Sequence, residues 1–387
     1  MKIAVFTHSG TDDNYGQVLQ CFALQKYLLS LGHDVALARY RSDNDCSKER
    51  FALMKNVLRS MIRLLSKSRR AKYAELQKIV NLRRINTVKN KQRKFVEFKS
   101  EHIRKCADYG SYREVLENPP RVDACIVGSD QVWLVSPKAP SSKVWFLDFG
   151  RPDMRRISYA ASIGRRLDKE QLKFFGKQLN RFDAVSVREI SAMEDCKAAG
   201  REDACVTLDP TLLAGAEIYR SFISMRTADR PYVFCYYLNV TTADEIAWSQ
   251  IEEYLNESGS ELVPVSSSGY LPADELIPGH ENRLLTIPEW LNGVYNAQAV
   301  VTTSFHGVAF AILMHRPFVA IPLKGAYAGG NVRIESLLEC LGLIRRILRD
   351  GATVSTILAE EINWESVDAK LDRLRESSAA FLKEALA

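Results

Sequence analysis

A histidine and a glycine stand between a predicted strand and a predicted helix late in the chain. Residues 300–303 form a β-branched run typical of a buried strand, and apolar residues recur at helical spacing after Gly307. His306-Gly307 is therefore predicted at a helix start, where free backbone N–H groups and the helix dipole favour an anion. A glycine lets a ligand approach the backbone, and a histidine can bind an anion or transfer a proton. The alternative is that His306 only caps the helix or satisfies a buried polar group.

A second polar loop follows the first predicted strand, residues 2–7, and leads into a helix predicted at 17–30. With a further strand at 35–39 these elements make a βαβ unit, in which ligands bind at the carboxyl end of the first strand. The glycine spacing matches neither a dinucleotide-binding nor a P-loop fingerprint, which argues against NAD and ATP. The loop is either a solvated connection or a ligand site, and its candidate residues are His8, Asp12, Asp13, Asn14 and Gly16.

Three more predicted strand ends carry polar side chains. The strand at 122–127 runs into Gly128-Ser129-Asp130-Gln131-Val132-Trp133, where small residues allow close approach and Asp130 and Gln131 can hold hydroxyls. The strand at 184–189 ends in Arg188 and Glu189, which form either a structural ion pair or a ligand contact. A glycine-rich loop at 324–330, flanked by Lys324 and Arg333, is another candidate anion site.

Strands and helices alternate along most of the chain, and the pattern predicts an α/β fold. We predict an N-terminal α/β domain over residues 1–214, ended by Asp209-Pro210, and a polar linker at 215–230. A second α/β domain follows at 231–350, and a helical tail at 351–387 packs back across both. Two Rossmann-like domains then face each other across a cleft.

The positive charge is concentrated in one segment. The chain has a net charge of +6, but residues 46–105 contain 19 Lys/Arg and four Glu, which leaves the remainder near −9. This distribution argues against a nucleic-acid partner and for a segment that faces something anionic. Within 51–67 an apolar helical stripe has Lys55, Arg59, Arg63 and Lys67 beside it. The stripe either lies on the anionic inner face of the cytoplasmic membrane or packs on the domain.

Targeting and metal-binding signals are missing from the sequence. No cleavable signal pattern or long apolar span is present, which predicts a cytoplasmic protein. The eight cysteines are scattered without metal-ligand spacing, so we expect neither disulfides nor a metal site.

Six stretches taken in order resemble the polysaccharide pyruvyl transferase family, over about residues 1–345. Each is weak alone, and their order makes the set specific. The resemblance implies a two-domain fold of the GT-B glycosyltransferase type. It also implies transfer of a 1-carboxyethylidene group from phosphoenolpyruvate to two hydroxyls of a sugar or lipid-linked oligosaccharide, for a bacterial surface or exported polysaccharide, with no further cofactor. The stretches are Asn14-Tyr15-Gly16 with Leu19-Gln20, Gly128 to Trp133, Ser186-Val187-Arg188-Glu189, Asp209-Pro210-Thr211-Leu212-Leu213, Thr303-Ser304-Phe305-His306-Gly307, and Asn331 with Arg333.

The implied chemistry assigns roles to these positions. His306 is expected as a proton donor or phosphate contact, and Asp130 and Asp13 as the base or as ligands of sugar hydroxyls. The expected phosphoenolpyruvate-binding residues are Ser304, Phe305, His306, Gly307, Arg333, Arg188, Lys324 and Asn331. The expected acceptor-binding residues are Asn14, Tyr15, Gly16, Gln20, Ser129, Asp130, Gln131 and Trp133.

One departure and two alternatives accompany this interpretation. Family members often have Arg-Leu-His where this chain has Ser304-Phe305-His306, and the sequence does not show what replaces the missing guanidinium. A glycosyltransferase that uses a nucleotide sugar would have the same architecture. A non-catalytic protein that binds glycans or a membrane surface could also keep this scaffold.

Overall fold

A computed structural model describes residues 1–41, 91–134, 140–224, 230–240, 242–267 and 276–387 of the chain, without the side chains of 140, 141 and 326. The predicted apolar stripe at 51–67 and most of the basic segment lie outside the described residues. In the part that is described, no helix combines the length and the apolar character needed to cross a membrane.

Among the described residues, seven parallel strands form the first sheet, in the order β3-β2-β1-β4-β5-β6-β7. Its central strands are apolar on both faces because helices cover both sides, as in other parallel sheets. The edge strand β3 (Lys105–Tyr109) was not predicted, because its residues are mostly exposed and show no apolar pattern. The strands are β1 (Lys2–Phe6), β2 (Asp34–Tyr40), β3 (Lys105–Tyr109), β4 (Ala124–Gly128), β5 (Arg155–Ala161), β6 (Ala184–Val187) and β7 (Cys205–Val206).

Helices α1 to α6 belong to this first unit. Helix α1 begins two residues before the predicted start, because the Asn14 side chain caps it by accepting a hydrogen bond from the Gln17 N–H. Two 3₁₀ segments, Pro140–Phe146 and Glu217–Phe222, complete the unit. The helices are α1 (Tyr15–Ser30), α2 (Phe95–His102), α3 (Tyr112–Glu117), α4 (Lys169–Leu179), α5 (Ile190–Ala198) and α6 (Pro210–Leu213).

In the part of the chain that the structure describes, the second sheet has four parallel strands in the order β11-β10-β8-β9. The glycine-rich loop predicted at 324–330 contains a 3₁₀ helix, Gly325–Asn331. Shorter 3₁₀ segments lie at Ala243–Ile246 and Ile344–Arg346. The strands are β8 (Tyr232–Tyr237), β9 (Glu261–Ser266), β10 (Ala299–Thr302) and β11 (Phe318–Ala320), and the helices are α7 (Trp248–Ser258), α8 (Ile287–Tyr295), α9 (Phe305–Leu313) and α10 (Val332–Leu341).

The C-terminal helices are α11 (Val354–Ala359) and α12 (Trp364–Leu386), and α12 packs back onto both units. On the first unit, the Ser378 hydroxyl accepts from the Leu208 N–H at 2.9 Å. On the second, the Lys370 ammonium donates to the Leu341 carbonyl at 3.1 Å. The predicted return of the tail across both units is therefore observed, whereas the domain boundaries at 214, 230 and 350 stay predictions.

The carboxyl ends of the two sheets face each other. Asp13, in the loop after β1, accepts a hydrogen bond through its carbonyl from the Ser267 hydroxyl after β9. Tyr15 stacks on Trp290 of the second unit with ring centroids 5.3 Å apart, and its hydroxyl donates to the Leu285 carbonyl at 2.6 Å. Loops that follow strands of both sheets therefore meet in one region, where α/β proteins bind ligands.

Candidate functional site

A buried carboxylate, Asp209, lies where the two units meet. Its Oδ2 accepts from the Ser129 hydroxyl at 2.6 Å and from Nη1 of Arg188 at 2.7 Å. Nε2 of His306 lies 3.4 Å from the same oxygen. Oδ1 accepts from the backbone N–H and the hydroxyl of Thr211, and so caps α6. One side chain therefore joins loops after β4 and β6 of the first sheet to the helix that follows β10 of the second.

Arg188 is a buried cation with unused donors. Its guanidinium lies over the Phe305 ring, 4.4 Å from the centroid, and Nη1 is held by Asp209. Nε and Nη2 have no hydrogen-bond partner among the described residues. A buried charged donor without a partner is costly, so these two groups indicate the position of a missing anionic ligand.

Arg333, in the first turn of α10, is a second cation in the same region. Its Nε donates to the Gly330 carbonyl at 3.1 Å. Burial and then the positive charge of Arg188 lower the pKa of Arg333 to about 10, while the carboxylates of Asp130, Glu189 and Asp209 oppose that shift. Arg333 still carries its charge at neutral pH. Two guanidiniums that repel each other would both be stabilised by an anion between them.

Asp130 presents a carboxylate oxygen to this cationic region. It has a left-handed backbone with φ of 73°, an uncommon conformation for a residue other than glycine that often marks a functional site. Its Oδ1 accepts from the Gln131 N–H, and Oδ2 has no partner in the described part of the chain. Burial raises the pKa of Asp130, but nearby cationic groups outweigh it and the net pKa is lowered. These groups are His8, Arg188, His306 and Arg333. Asp130 is therefore ionised and able to accept a proton or a hydroxyl hydrogen bond.

His306 is enclosed by the first unit. A Cβ on Gly16 would lie 2.1 Å from its Nδ1, so the start of α1 closes directly onto the imidazole ring. Ser304 precedes α9 without a side-chain capping bond to any described residue, and its N–H donates to the Thr302 hydroxyl at 3.0 Å. The first-turn N–H groups of α9 have no intrahelical acceptor and remain available to an anion. The histidine thus lies between Gly16, Asp209 and a helix start.

Four of the predicted acceptor-binding side chains have structural roles, and their acceptor-binding roles stay predictions. The indole N–H of Trp133 donates to the Trp145 carbonyl, and Gln20 donates to the Thr7 hydroxyl, both at 2.9 Å. Tyr15 is fully buried between the units, and Asn14 caps α1. The structure gives no support to direct contacts between a sugar and the first three of these, because their polar groups hold loops and each is almost fully buried. Gln131 is half-buried and packs on Gly164. A Cβ added to Gly164 would lie 2.0 Å from Nε2 of Gln131.

Gly307 and Asn331 also have structural roles. A Cβ on Gly307 would lie 2.2 Å from Oγ1 of Thr302, so glycine is required for α9 to pack on β10. Packing thus accounts for the glycine, and the expectation that Gly307 serves close approach of a ligand stays a prediction. The Asn331 amide donates to the carbonyl and accepts from the N–H of Leu323, each at 2.9 Å, which uses its polar groups to close the 323–331 loop.

Lys324 and Asp13 make other contacts than those of the cluster around Asp209. Lys324 is exposed and lines a separate cavity of about 470 Å³ together with Arg349 and Asp350. Asp13 accepts the Thr11 hydroxyl at 2.6 Å, in the loop that contacts the second unit. Within the described ranges, no hydrogen bond or ion pair joins either residue to Asp209. Their predicted donor-binding and catalytic roles stay predictions.

Glu189 does not pair with Arg188. Its Oε1 accepts from the Ser162 hydroxyl and from the N–H groups of Ile163 and Gly164, at 2.9 to 3.0 Å. The structural ion pair considered for Arg188 and Glu189 is therefore wrong. The carboxylate instead holds the loop after β5, which leaves Arg188 to Asp209.

Sequence reasoning gave no site role to Asp209 and no specific role to His8. Asp209 precedes a proline, and this pattern predicted only the end of a domain, although an Asp before Pro at a helix start also predicts an N-cap. Its second oxygen is used in long-range contacts that no local pattern can reveal. The His8 ring packs on Trp145 with centroids 4.6 Å apart and acts electrostatically on Asp130.

The comparisons with known proteins agree with this architecture. The family model for polysaccharide pyruvyl transferase matches residues 14–325. A search of curated proteins gives no match. Among solved structures, UDP-N-acetylglucosamine 2-epimerase from Rickettsia bellii is 11% identical, with a TM-score of 0.52 over 100% of this chain and 96% of that one. The corresponding epimerase from Neisseria meningitidis is 11% identical, with a TM-score of 0.43 over 100% and 94%. The predicted fold class, two Rossmann-like units of the GT-B type, is confirmed.

Proposed function

Since the chain belongs to the polysaccharide pyruvyl transferase family, we propose that it uses phosphoenolpyruvate as donor and two hydroxyls of one sugar as acceptor. The observation that supports this donor is the pair of neighbouring guanidiniums, the buried Arg188 and the half-buried Arg333. Phosphoenolpyruvate carries a phosphate and a carboxylate close together. Two arginines beside a helix start match that charge better than they match a neutral sugar.

The reaction replaces two bonds at C2 of the donor. A proton adds to the methylene carbon, which becomes a methyl group, and the oxygen of the first hydroxyl bonds to C2 as it loses its proton. The second hydroxyl oxygen then bonds to C2 and loses its proton, while the C2–O bond to phosphate breaks. One of the two hydroxyl protons balances the methyl group, and the other leaves with the phosphate. The products are a cyclic pyruvate ketal and inorganic phosphate.

The side chains suit these steps. Arg188 and Arg333 neutralise the phosphate as it leaves, which is expected to be the largest catalytic contribution. His306 is our candidate for proton delivery or phosphate contact, since it lies in the same cluster. Asp130, with a buried and unpartnered Oδ2 among the described residues, is our candidate for the base that accepts a hydroxyl proton.

The experiment measures phosphate release from phosphoenolpyruvate in the presence of p-nitrophenyl hexosides, which offer a hydroxyl pair able to close a six-membered ketal. Arg333→Lys keeps the charge but loses the forked donor geometry. We expect the KM for phosphoenolpyruvate to rise roughly 10- to 100-fold, because charge-assisted bidentate bonds are lost.

Arg316→Lys is the matched control. Arg316 is also half-buried and bonded to a backbone carbonyl, that of Met314, but it lies over Tyr295, away from Asp209. Parallel reactions with labelled nucleotide sugars test the glycosyltransferase alternative. Sugar transfer from these donors without any phosphate release from phosphoenolpyruvate would refute the proposal.

A further inference from the structure

We propose that Asp209 is a positioning residue that fixes Arg188 of the first unit and His306 of the second in one arrangement. The inference rests on the proposed function, because these two side chains are candidates for donor binding and proton transfer. Asp209 follows β7, whereas His306 begins the helix after β10, so the carboxylate acts across the contact between the units.

The carboxylate is closed off from solvent and holds other residues. Its side chain has no solvent exposure, and Oδ1 is occupied by two bonds from Thr211. Oδ2 is surrounded by Ser129, Arg188 and His306. Both oxygens are therefore used within the protein, which distinguishes Asp209 from Asp130, whose Oδ2 has no partner within the described ranges.

The charge of Asp209 is needed because the surrounding groups are cationic. Arg188 and Arg333 are close enough that the charge of one lowers the pKa of the other. Burial raises the pKa of Asp209, but the interaction with His306, whose Nε2 lies 3.4 Å from Oδ2, and then the charge of Arg188 outweigh it and hold the pKa well below its usual range. The residue is therefore an anion at any working pH.

The geometry also determines which donors remain for the substrate. Asp209 binds only Nη1 of Arg188, and the guanidinium face rests on Phe305. Because one end and one face of the Arg188 guanidinium are fixed, its Nε and Nη2 groups point in one direction. On the other side, the Oδ2 atom limits where Nε2 of His306 can lie, because Gly16 blocks the opposite edge of the ring.

The test compares Asp209→Asn with Asp195→Asn. Asp195 is also buried, pairs with an arginine and accepts from a backbone N–H. It lies in α5, however, and its partners are Arg166 and Leu167.

For D209N we expect kcat to fall about 100-fold, the loss that a misplacement of about 1 Å can cause. The KM for the sugar should be unchanged, since Asp209 does not touch it. D195N should leave kcat and both KM values unchanged.

A second variant covers the case in which D209N does not fold. Thr211→Val removes the hydroxyl bonded to Oδ1 at 2.7 Å and keeps the backbone cap, so Asp209 stays charged but is held less firmly. We expect kcat to fall roughly 10-fold at an unchanged KM for the sugar.

The outcomes separate the two proposals. A wild-type protein that neither binds phosphoenolpyruvate in calorimetry nor releases phosphate from it overturns the proposed donor. An active wild-type protein, together with folded D209N of equal kcat, overturns the positioning role alone. If D209N is unfolded, wild-type kcat in T211V overturns that role.

Discussion

At the scale of single residues, the structure shows which guanidinium accompanies His306. The arginine common in the family two positions before the histidine is Ser304 here, and its side chain is buried. Arg188 reaches the same place from β6 and lies over Phe305, whose ring is 5.3 Å from that of His306. Arg188 therefore supplies a guanidinium beside His306, although the arginine common at position 304 is absent from this sequence.

Gly16 allows a sharp test of whether the position of His306 matters. A methyl group there would lie 2.1 Å from Nδ1, too close for any contact, so Gly16→Ala must displace the ring or open the two units. We expect kcat for phosphate release to fall by about 100-fold, while the fold is retained because alanine suits a helix start.

Gly10→Ala is the matched control for this change. Gly10 lies in the same loop, and a Cβ there would meet nothing within 4 Å among the described residues. G10A should have wild-type kcat. If G16A also has wild-type kcat, the close approach of α1 to His306 has no catalytic importance.

At the scale of elements, the sequence predicted most of the strands, because alternating strands and helices are local patterns. It also placed His306 correctly at a helix start after a strand. It could not show that Tyr15, Gln20 and Trp133 are buried and hold loops in place. A motif indicates that a position needs a particular residue type, but it does not say whether a ligand or the fold requires that type. Asp209 shows the same limit in the opposite direction: its local pattern explains one carboxylate oxygen, and distant residues use the other.

The packing of α9 on β10 depends on Gly307. In Gly307→Ala the new methyl group would lie 2.2 Å from Oγ1 of Thr302, which cannot turn away easily because it donates to the Tyr236 carbonyl at 2.6 Å. We expect the free energy of unfolding to fall by about 1–3 kcal/mol, as for other overpacked cores. Urea denaturation measures this change. Unchanged stability with a raised KM for phosphoenolpyruvate would instead restore the view that Gly307 serves ligand approach.

At the scale of the whole molecule, the site exists only where the two units meet. Arg188, Asp130 and Asp209 come from the first unit, and His306 and Arg333 from the second. Helix α12 ties the units together through bonds to Leu208 and Leu341, and Tyr15 joins them through its bond to Leu285. A change that loosens either connection should therefore affect catalysis as well as stability.

Arg93 gives the last prediction, because it lies within the basic segment and connects the two units. It is almost fully buried, and Nη1 donates to the Ser266 carbonyl of the second unit at 2.7 Å and to the Tyr15 hydroxyl at 3.3 Å. Arg93→Met keeps the aliphatic bulk but removes these bonds. We expect a loss of about 1–3 kcal/mol in unfolding free energy, because the carbonyl of Ser266 loses a charged donor. The lost link should also lower kcat and increase the radius of gyration measured by X-ray scattering. Arg316→Met, within the second unit, is the control for removal of a half-buried arginine. If R93M loses stability but keeps the wild-type kcat and radius, Arg93 is a local packing residue and does not hold the two units together.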